Sequence, residues 1–166
     1  MNSDISFPLV LMILMIVTSG AVSFFDIRSR RIPDAIVLPA IVAAITLVAL
    51  SWSIPILFRY IETIVWILSL VMVRRGVRGK LGWGDVKLIA LITLCVGSIG
   101  SLISLGIATA AGILSYAYLF LCKPEIGRDH LRERSIPFAP YLAAGSIVFV
   151  ILDLLLGFET LDAIWR

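Results

Sequence analysis

Three aspartates in this chain border long apolar stretches and stand beside clusters of basic residues. Asp26 ends one apolar run and opens the segment "DIRSRRIPD", whose last residue is Asp34, and Asp85 follows "GWG" at the start of another. Ionisable side chains at such positions are costly, which makes each a candidate functional residue. Two carboxylates that share a site resist ionising together, so one keeps its proton, and the pair can activate a water and protonate a leaving amine. These residues therefore offer the chemistry of an aspartic protease.

Two of the three aspartates, Asp85 and Asp26, also have a simpler interpretation. Asp85 fits the N-cap of a helix, where its carboxylate would accept the backbone N–H of Lys87 or Leu88. Asp26 stands four residues before Arg30, a spacing that suits an ion pair on one helix face. For either residue considered alone, the sequence does not decide between the simpler interpretation and a catalytic role.

The elements that must position these residues are membrane helices. Hydrophobic residues make up 60% of the 166 residues, charged residues only 15%, and the mean hydropathy is +1.07. Such a composition is too apolar for a soluble domain of this size. We expect an all-α, polytopic membrane helix bundle that forms one domain over residues 1–166. Apolar runs of spanning length predict about six transmembrane helices: Ser6–Phe25, Ala35–Trp52, Ile54–Val73, Asp85–Ile99, Ser101–Leu121 and Ile136–Leu156. The second and third, and the fourth and fifth, should form tight antiparallel hairpins.

The positions of the basic residues predict the orientation of this bundle. The loops after the first, third and fifth apolar runs hold 11 of the 14 basic residues: Arg28, Arg30, Arg31, Arg74, Arg75, Arg78, Lys80, Lys123, Arg128, Arg132 and Arg134. Basic residues in short loops favour the cytoplasmic side, so the N-terminus is expected outside. Asp26 and Asp85 then share the cytoplasmic face. The net charge of +3 is a topology signal, and we expect no nucleic-acid partner.

Metal-ligating residues are few. Cys95 and Cys122 fall in separate predicted segments and are too few for a thiolate zinc site. His130 stands in a loop rich in charges, where a solvated side chain is the simpler interpretation. We therefore expect neither a metal nor another cofactor.

Three ordered motifs resemble one family. Gly82, Gly84 and Asp85 spell G-x-G-D and are followed by "VKL"; Asp26 opens "DIRSRRIPD"; and "IPFAPYLAAG" opens the last apolar run. Together they resemble the type IV prepilin peptidases and the archaeal preflagellin peptidases, which are membrane aspartic proteases. The resemblance extends from Asp26 to Gly145.

The resemblance implies a role for individual residues. The family's two catalytic aspartates fall on Asp26 and Asp85. The supporting or substrate-binding positions are Asp34, Gly82, Gly84, Lys87, Pro137 and Pro140. Without side chains, the two glycines would let the backbone approach the aspartates closely. Lys87 either extends its amine to the membrane interface or tunes Asp85. Helix polarity favours Asp85 as the base, since it begins a helix whereas Asp26 ends one.

The function implied is cleavage of a basic leader from a prepilin-like substrate at the cytoplasmic face of the inner membrane. Longer bacterial members carry N-terminal Cys-x-x-Cys motifs that are associated with zinc and with methylation. This chain resembles the short form, close to members that serve Flp-type pili, and we expect no methyltransferase activity. Ala139 replaces a glycine that is common in the last motif.

Other classes of protein remain open. Presenilin-type proteases also use G-x-G-D but need more helices than 166 residues supply. A small transporter would place ionisable residues near the bilayer midplane. A catalytically silent protein of pilus or secretion assembly would differ only in not using Asp26 and Asp85.

Overall fold

Five α-helices make up the part of the chain described by the computed structural model, which covers residues 6–50, 55–76, 82–122 and 137–156. The helices are α1 (Ser6–Ser29), α2 (Asp34–Leu50), α3 (Pro55–Gly76), α4 (Trp83–Cys122) and α5 (Ala139–Leu156). No strand occurs within these four ranges. The fold is therefore all-α, as the sequence predicts. The basic residues of the fifth predicted loop lie outside the described residues.

The first half of α4 is the centre of the bundle. Between Leu88 and Val96 every side chain is buried, and α4 packs against each of the other four helices. A helix that is apolar on all sides can be buried on all sides, and "LIALITLCV" is such a sequence. Asp85, in the first turn of α4, therefore belongs to the most deeply buried helix of the bundle.

Helix α4 reverses direction at Gly97. This residue has φ 79° and ψ 177° inside an otherwise helical run, a conformation that is open essentially to glycine alone. In a straight helix Asp85 and Ser115 would lie about 45 Å apart. The packing of α5 shows that they lie at the same end of the bundle.

Three contacts along α5 establish this arrangement. Near its beginning, Tyr141 donates a hydrogen bond to the hydroxyl of Ser115, at 2.9 Å. Further along, Gly145 lies against the backbone of Ser104, and the ring of Phe149 lies against Gly100. Helix α5 thus runs antiparallel to the second half of α4, and α5 begins beside Asp26, at the end of the bundle where α4 also begins. The tight reversal expected between the fourth and fifth apolar segments therefore agrees with the structure, although it needs one glycine instead of a loop.

Helices α2 and α3 do not form the closely packed hairpin that the sequence suggests. Each packs on α4, but they scarcely contact one another. One bond between them runs from the Tyr60 hydroxyl to the carbonyl oxygen of Ile45, at 2.8 Å. Since the two helices scarcely contact one another, their separation follows from where each packs on α4.

Many large apolar side chains face outward. Val17, Phe58 and Leu114 are 65%, 71% and 69% exposed, and others like them cover every helix. In water so much exposed apolar surface would be unfavourable, whereas lipid tails accommodate it. By length and composition two helical segments could cross a membrane, Leu9–Ser29 and Trp83–Tyr118, and shorter apolar helices cover Asp34–Leu50 and Ala139–Leu155. The reversal at Gly97 divides the second of these segments into two. Six spans and an external N-terminus stay predictions.

Gly97→Ala should destabilise the protein by roughly 1 to 3 kcal/mol, because a Cβ makes the conformation at the reversal strained. The measurement is the midpoint of thermal unfolding in detergent. Gly106→Ala is the matched control, since a Cβ there meets open space. Equal midpoints for the two variants would show that the conformation of Gly97 is not needed for the reversal.

Candidate active site

An open cavity of about 650 Å³ lies at the end of the bundle where α1 ends and where α2 and α4 begin. Its lining combines the three aspartates singled out from the sequence with three basic residues and the G-x-G-D turn: Phe25, Asp26, Ser29, Arg30, Arg31, Ile32, Pro33, Asp34, Gly82, Trp83, Gly84, Asp85 and Lys87. The fold therefore brings together two segments that are far apart in the sequence, one ending at Asp34 and the other beginning at Gly82.

Asp26 lies in the last turns of α1 and is only 7% exposed. Its Oδ2 accepts the backbone N–H of Ala139, the first residue of α5, at 3.1 Å. The suggested side-chain pair with Arg30 is not formed. The amide of Arg30 instead donates to the backbone oxygen of Asp26, at 2.9 Å. Arg30 is the first residue after α1 and has φ 52°, a left-handed conformation that is common just after a helix ends.

Asp85 is the third residue of α4 and is partly buried. The N-cap interpretation is wrong in position, because Gly82 immediately precedes the helix and Asp85 lies inside its first turn. The Asp85 carboxylate reaches back to accept the backbone N–H of Gly82, which is the return bond of a capping box. The carboxylates of Asp85 and Asp26 are also close enough for their negative charges to repel one another.

The two glycines of the motif make room for different neighbours. A Cβ on Gly82 would lie 2.8 Å from Oδ2 of Asp85, and a Cβ on Gly84 would lie 2.6 Å from Cβ of Ile32. Gly82 therefore leaves space for the carboxylate, while Gly84 lets the start of α4 approach the loop between α1 and α2. Both were expected to permit a close approach, and the structure identifies the groups that approach.

Lys87 pairs with Asp34, not with Asp85. Its Nζ lies 2.6 Å from Oδ1 of Asp34, with side chains 28% and 59% exposed respectively. Asp34 is the first residue of α2, where the partial positive charge of the helix also favours a carboxylate. This ion pair joins α2 to α4 at the edge of the cavity.

The segment "IPFAP" contributes a backbone group that sequence reasoning missed. Pro137 and Pro140 are partly buried and do not line the cavity. The N–H of Leu142 donates to the backbone oxygen of Phe138, and this is the first helical hydrogen bond of α5. Ala139 is fully buried, and its N–H donates to the carboxylate of Asp26. One signal was available, because the prolines leave few free N–H groups in the first turn. The 113-residue separation from Asp26 concealed the partner.

The sequence suggests that helix polarity distinguishes Asp85 from Asp26, but in the structure it does not. Although Asp26 lies near the end of α1, its carboxylate faces the beginning of α5. Both carboxylates therefore accept a backbone N–H at a helix N-terminus, and the expected advantage of Asp85 as the base loses its basis. Among the residues described, no three metal-ligating side chains form a cluster.

A comparison with known families identifies the family of this chain. The profile of the type IV leader peptidase family matches residues 9–120, well over half of the chain. The chain belongs to the type IV leader peptidase family. This confirms the resemblance inferred from the motifs, and the match includes both segments that line the cavity. It ends before Pro137, so the Ala139 contact rests on the structure of this leader peptidase alone. No curated protein and no solved structure gave a match.

We expect Gly82→Ala to lower the proteolytic rate of this leader peptidase family member roughly 10- to 100-fold. The added Cβ would displace the carboxylate of Asp85, and a misplacement of about 1 Å is enough for such a loss. The measurement is cleavage of a leader-bearing substrate in membranes. Gly112→Ala, where a Cβ meets nothing within 4 Å, should retain the wild-type rate. A Gly82→Ala enzyme as active as the Gly112→Ala enzyme would exclude the steric argument.

Reversing one charge of the Lys87–Asp34 pair should weaken the packing of α2 on α4. Lys87→Asp and Asp34→Lys are each expected to lower stability by no more than about 1 kcal/mol, because the pair is partly exposed. The double reversal should recover much of that loss, which unfolding in detergent would measure. If the double variant is no more stable than the single ones, the pair does not join the helices.

Proposed function

We propose that this leader peptidase is an aspartic endopeptidase that uses Asp26 and Asp85 to cleave the basic leader from prepilin-like substrates. The reaction takes place at the cytoplasmic face of the inner membrane, where the lipid bilayer holds both enzyme and substrate. The observation that carries the proposal is that both aspartates line one cavity in a member of this family.

The geometry supports a division of labour between two carboxyl groups. In the proposed mechanism one carboxyl group is ionised and the other is protonated, as is usual for two carboxyl groups that share a site. The ionised carboxylate removes a proton from water, and the water oxygen attacks the scissile carbonyl carbon. The protonated carboxyl group stabilises the developing oxyanion. As the C–N bond breaks, a proton passes to the leaving nitrogen, and the pair returns to its single-proton state.

Backbone hydrogen bonds hold both carboxylates in place for this reaction. Asp26 is bound to Ala139 and Asp85 to Gly82, so neither has to be ordered when substrate arrives. A rigidly placed acid and base reduce the reorganisation needed in the transition state. Which aspartate begins as the base is a property of the coupled pair.

The charges around the cavity bear on the orientation of the substrate. Arg30 and Arg31 line it, and Arg28, Arg74 and Arg75 lie at the same end of the bundle. This excess of positive charge supports a cytoplasmic position for the cavity. It would also repel a basic leader, so we do not assign leader binding to these basic residues.

The test is processing of a co-expressed prepilin in membranes, followed as a shift on a gel. Asp26→Asn and Asp85→Asn should each reduce processing by at least a hundredfold, since each removes one of two groups that transfer protons. Asp153→Asn is the matched control. Asp153 is as buried as Asp26, at 6% exposed, but it lies about 21 Å along α5 from Ala139.

Normal processing by Asp153→Asn, with all variants present at wild-type levels, would assign the losses to the pair. Full activity of either Asp26→Asn or Asp85→Asn would return that residue to a structural role. A non-catalytic assembly protein or a transporter would then be the better description.

A further inference from the structure

A second, apolar groove begins beside the candidate active site. It encloses about 550 Å³ and is lined by three helices and almost entirely by apolar side chains: Ile41, Ile45, Tyr60, Thr63, Ile64, Ile67, Trp83, Val86, Lys87, Ala90 and Leu94. The groove exists because α2 and α3 both pack on α4 but scarcely contact each other. Helix α4 forms its floor, and α2 and α3 form its walls.

The spacing of the lining residues shows that the groove runs along the helix axes. Val86, Ala90 and Leu94 recur at intervals of four on α4, and Ile41 and Ile45 do so on α2, so each set forms one stripe along its helix. From Val86 to Leu94 the stripe is about 12 Å long. This length accommodates about two turns of an α-helix.

The two ends of the groove differ. At the far end, the Tyr60 hydroxyl is bound to the carbonyl of Ile45 and ties α3 to α2. At the near end, Trp83 and Lys87 belong to the lining of both the groove and the cavity that holds Asp26 and Asp85. A chain that lies in the groove therefore continues directly into the candidate active site.

The groove also opens to the side. Ile64 lines it and is 55% exposed, whereas Ala90 on the floor is 5% exposed. A longer helix can therefore place two turns in the groove and leave between α2 and α3 towards the lipid. The cavity on one side of Lys87 is lined by polar and charged residues, and the groove on the other side is apolar. This arrangement suits a substrate with a polar segment on one side of the scissile bond and an apolar segment on the other.

We propose that this groove binds the first two turns of an apolar helix on the carboxyl side of the scissile bond, with the polar segment before the bond in the cavity. The inference rests on the proposed function and adds the place where the apolar part of the substrate lies. The occupant is a segment of the substrate protein.

The first experiment is photo-cross-linking in membranes. Benzoylphenylalanine replaces Ile64 in the Asp26→Asn protein, which binds a tagged, co-expressed prepilin without cleaving it. The matched position is Ile113, which is 65% exposed but lines neither the groove nor the cavity. The expected result is a cross-link to the prepilin from position 64 and none from position 113.

The second experiment compares Ile64→Trp with Ile113→Trp in an otherwise wild-type enzyme. A tryptophan that overfills the groove should raise KM for the full-length prepilin about tenfold and leave kcat within about twofold. Cleavage of a short leader peptide without the apolar segment should be unchanged. Ile113→Trp should match the wild type on both substrates.

The outcomes separate the two proposals. If the wild type cleaves the prepilin, but position 64 cross-links only to lipid and the two tryptophan variants behave alike, the groove proposal is overturned and the proposed function stands. If the wild type does not cleave the prepilin, the proposed function fails and the groove proposal fails with it. The cross-linking result does not depend on the tryptophan variants folding.

Discussion

The contact on which the site depends is the hydrogen bond between the carboxylate of Asp26 and the amide of Ala139. A buried carboxylate needs hydrogen-bond donors, and the first turn of a helix has N–H groups without partners of their own. Each element therefore satisfies the other: α5 supplies the donor, and Asp26 supplies the cap. Because this bond joins α1 to α5, the surroundings of Asp26 are complete only when α5 has packed beside the end of α1.

The burial of α4 makes this return possible. Its first half is surrounded by the other helices, and the reversal at Gly97 sends its second half back to pair with α5. One residue with a conformation suited to glycine thus places Asp85 and the start of α5 at the same end of the bundle. Gly84 lies close to the side chain of Ile32 and Gly145 lies close to the backbone of Ser104, and a larger residue at either position would separate these elements.

The arrangement also separates two environments along one path. Polar and charged side chains gather around the aspartates, while the space between α2 and α3 is apolar. Lys87 lies at the boundary, with its amine held by Asp34. Because the ion pair holds the charge at the cavity edge, the methylene chain of Lys87 can pack against the groove, as is usual for this side chain.

Much of this protein follows from its sequence alone. The apolar runs predict where the helices lie, and the apolar composition predicts that their outer surfaces face lipid. Both predictions are possible because they depend only on the types of residue along the chain. The motifs identified the family and the candidate aspartates, since G-x-G-D is a local constraint on backbone and side chain. Helix boundaries were less accurate: α1 continues past Phe25 to Ser29, and α4 begins at Trp83, which places Asp85 within its first turn.

Tertiary structure alone decided which donor each carboxylate would find. Lys87 pairs with Asp34 and not with Asp85. Asp26 accepts a hydrogen bond from the amide of Ala139, 113 residues away, and does not pair with the neighbouring side chain of Arg30. Partners of this kind depend on how helices pack, and packing follows from shape complementarity over many residues. The gap between α2 and α3 has the same origin. Residue type thus determined the helices and the chemistry available, while packing determined which groups meet, because distance along the chain says little about distance in a folded bundle.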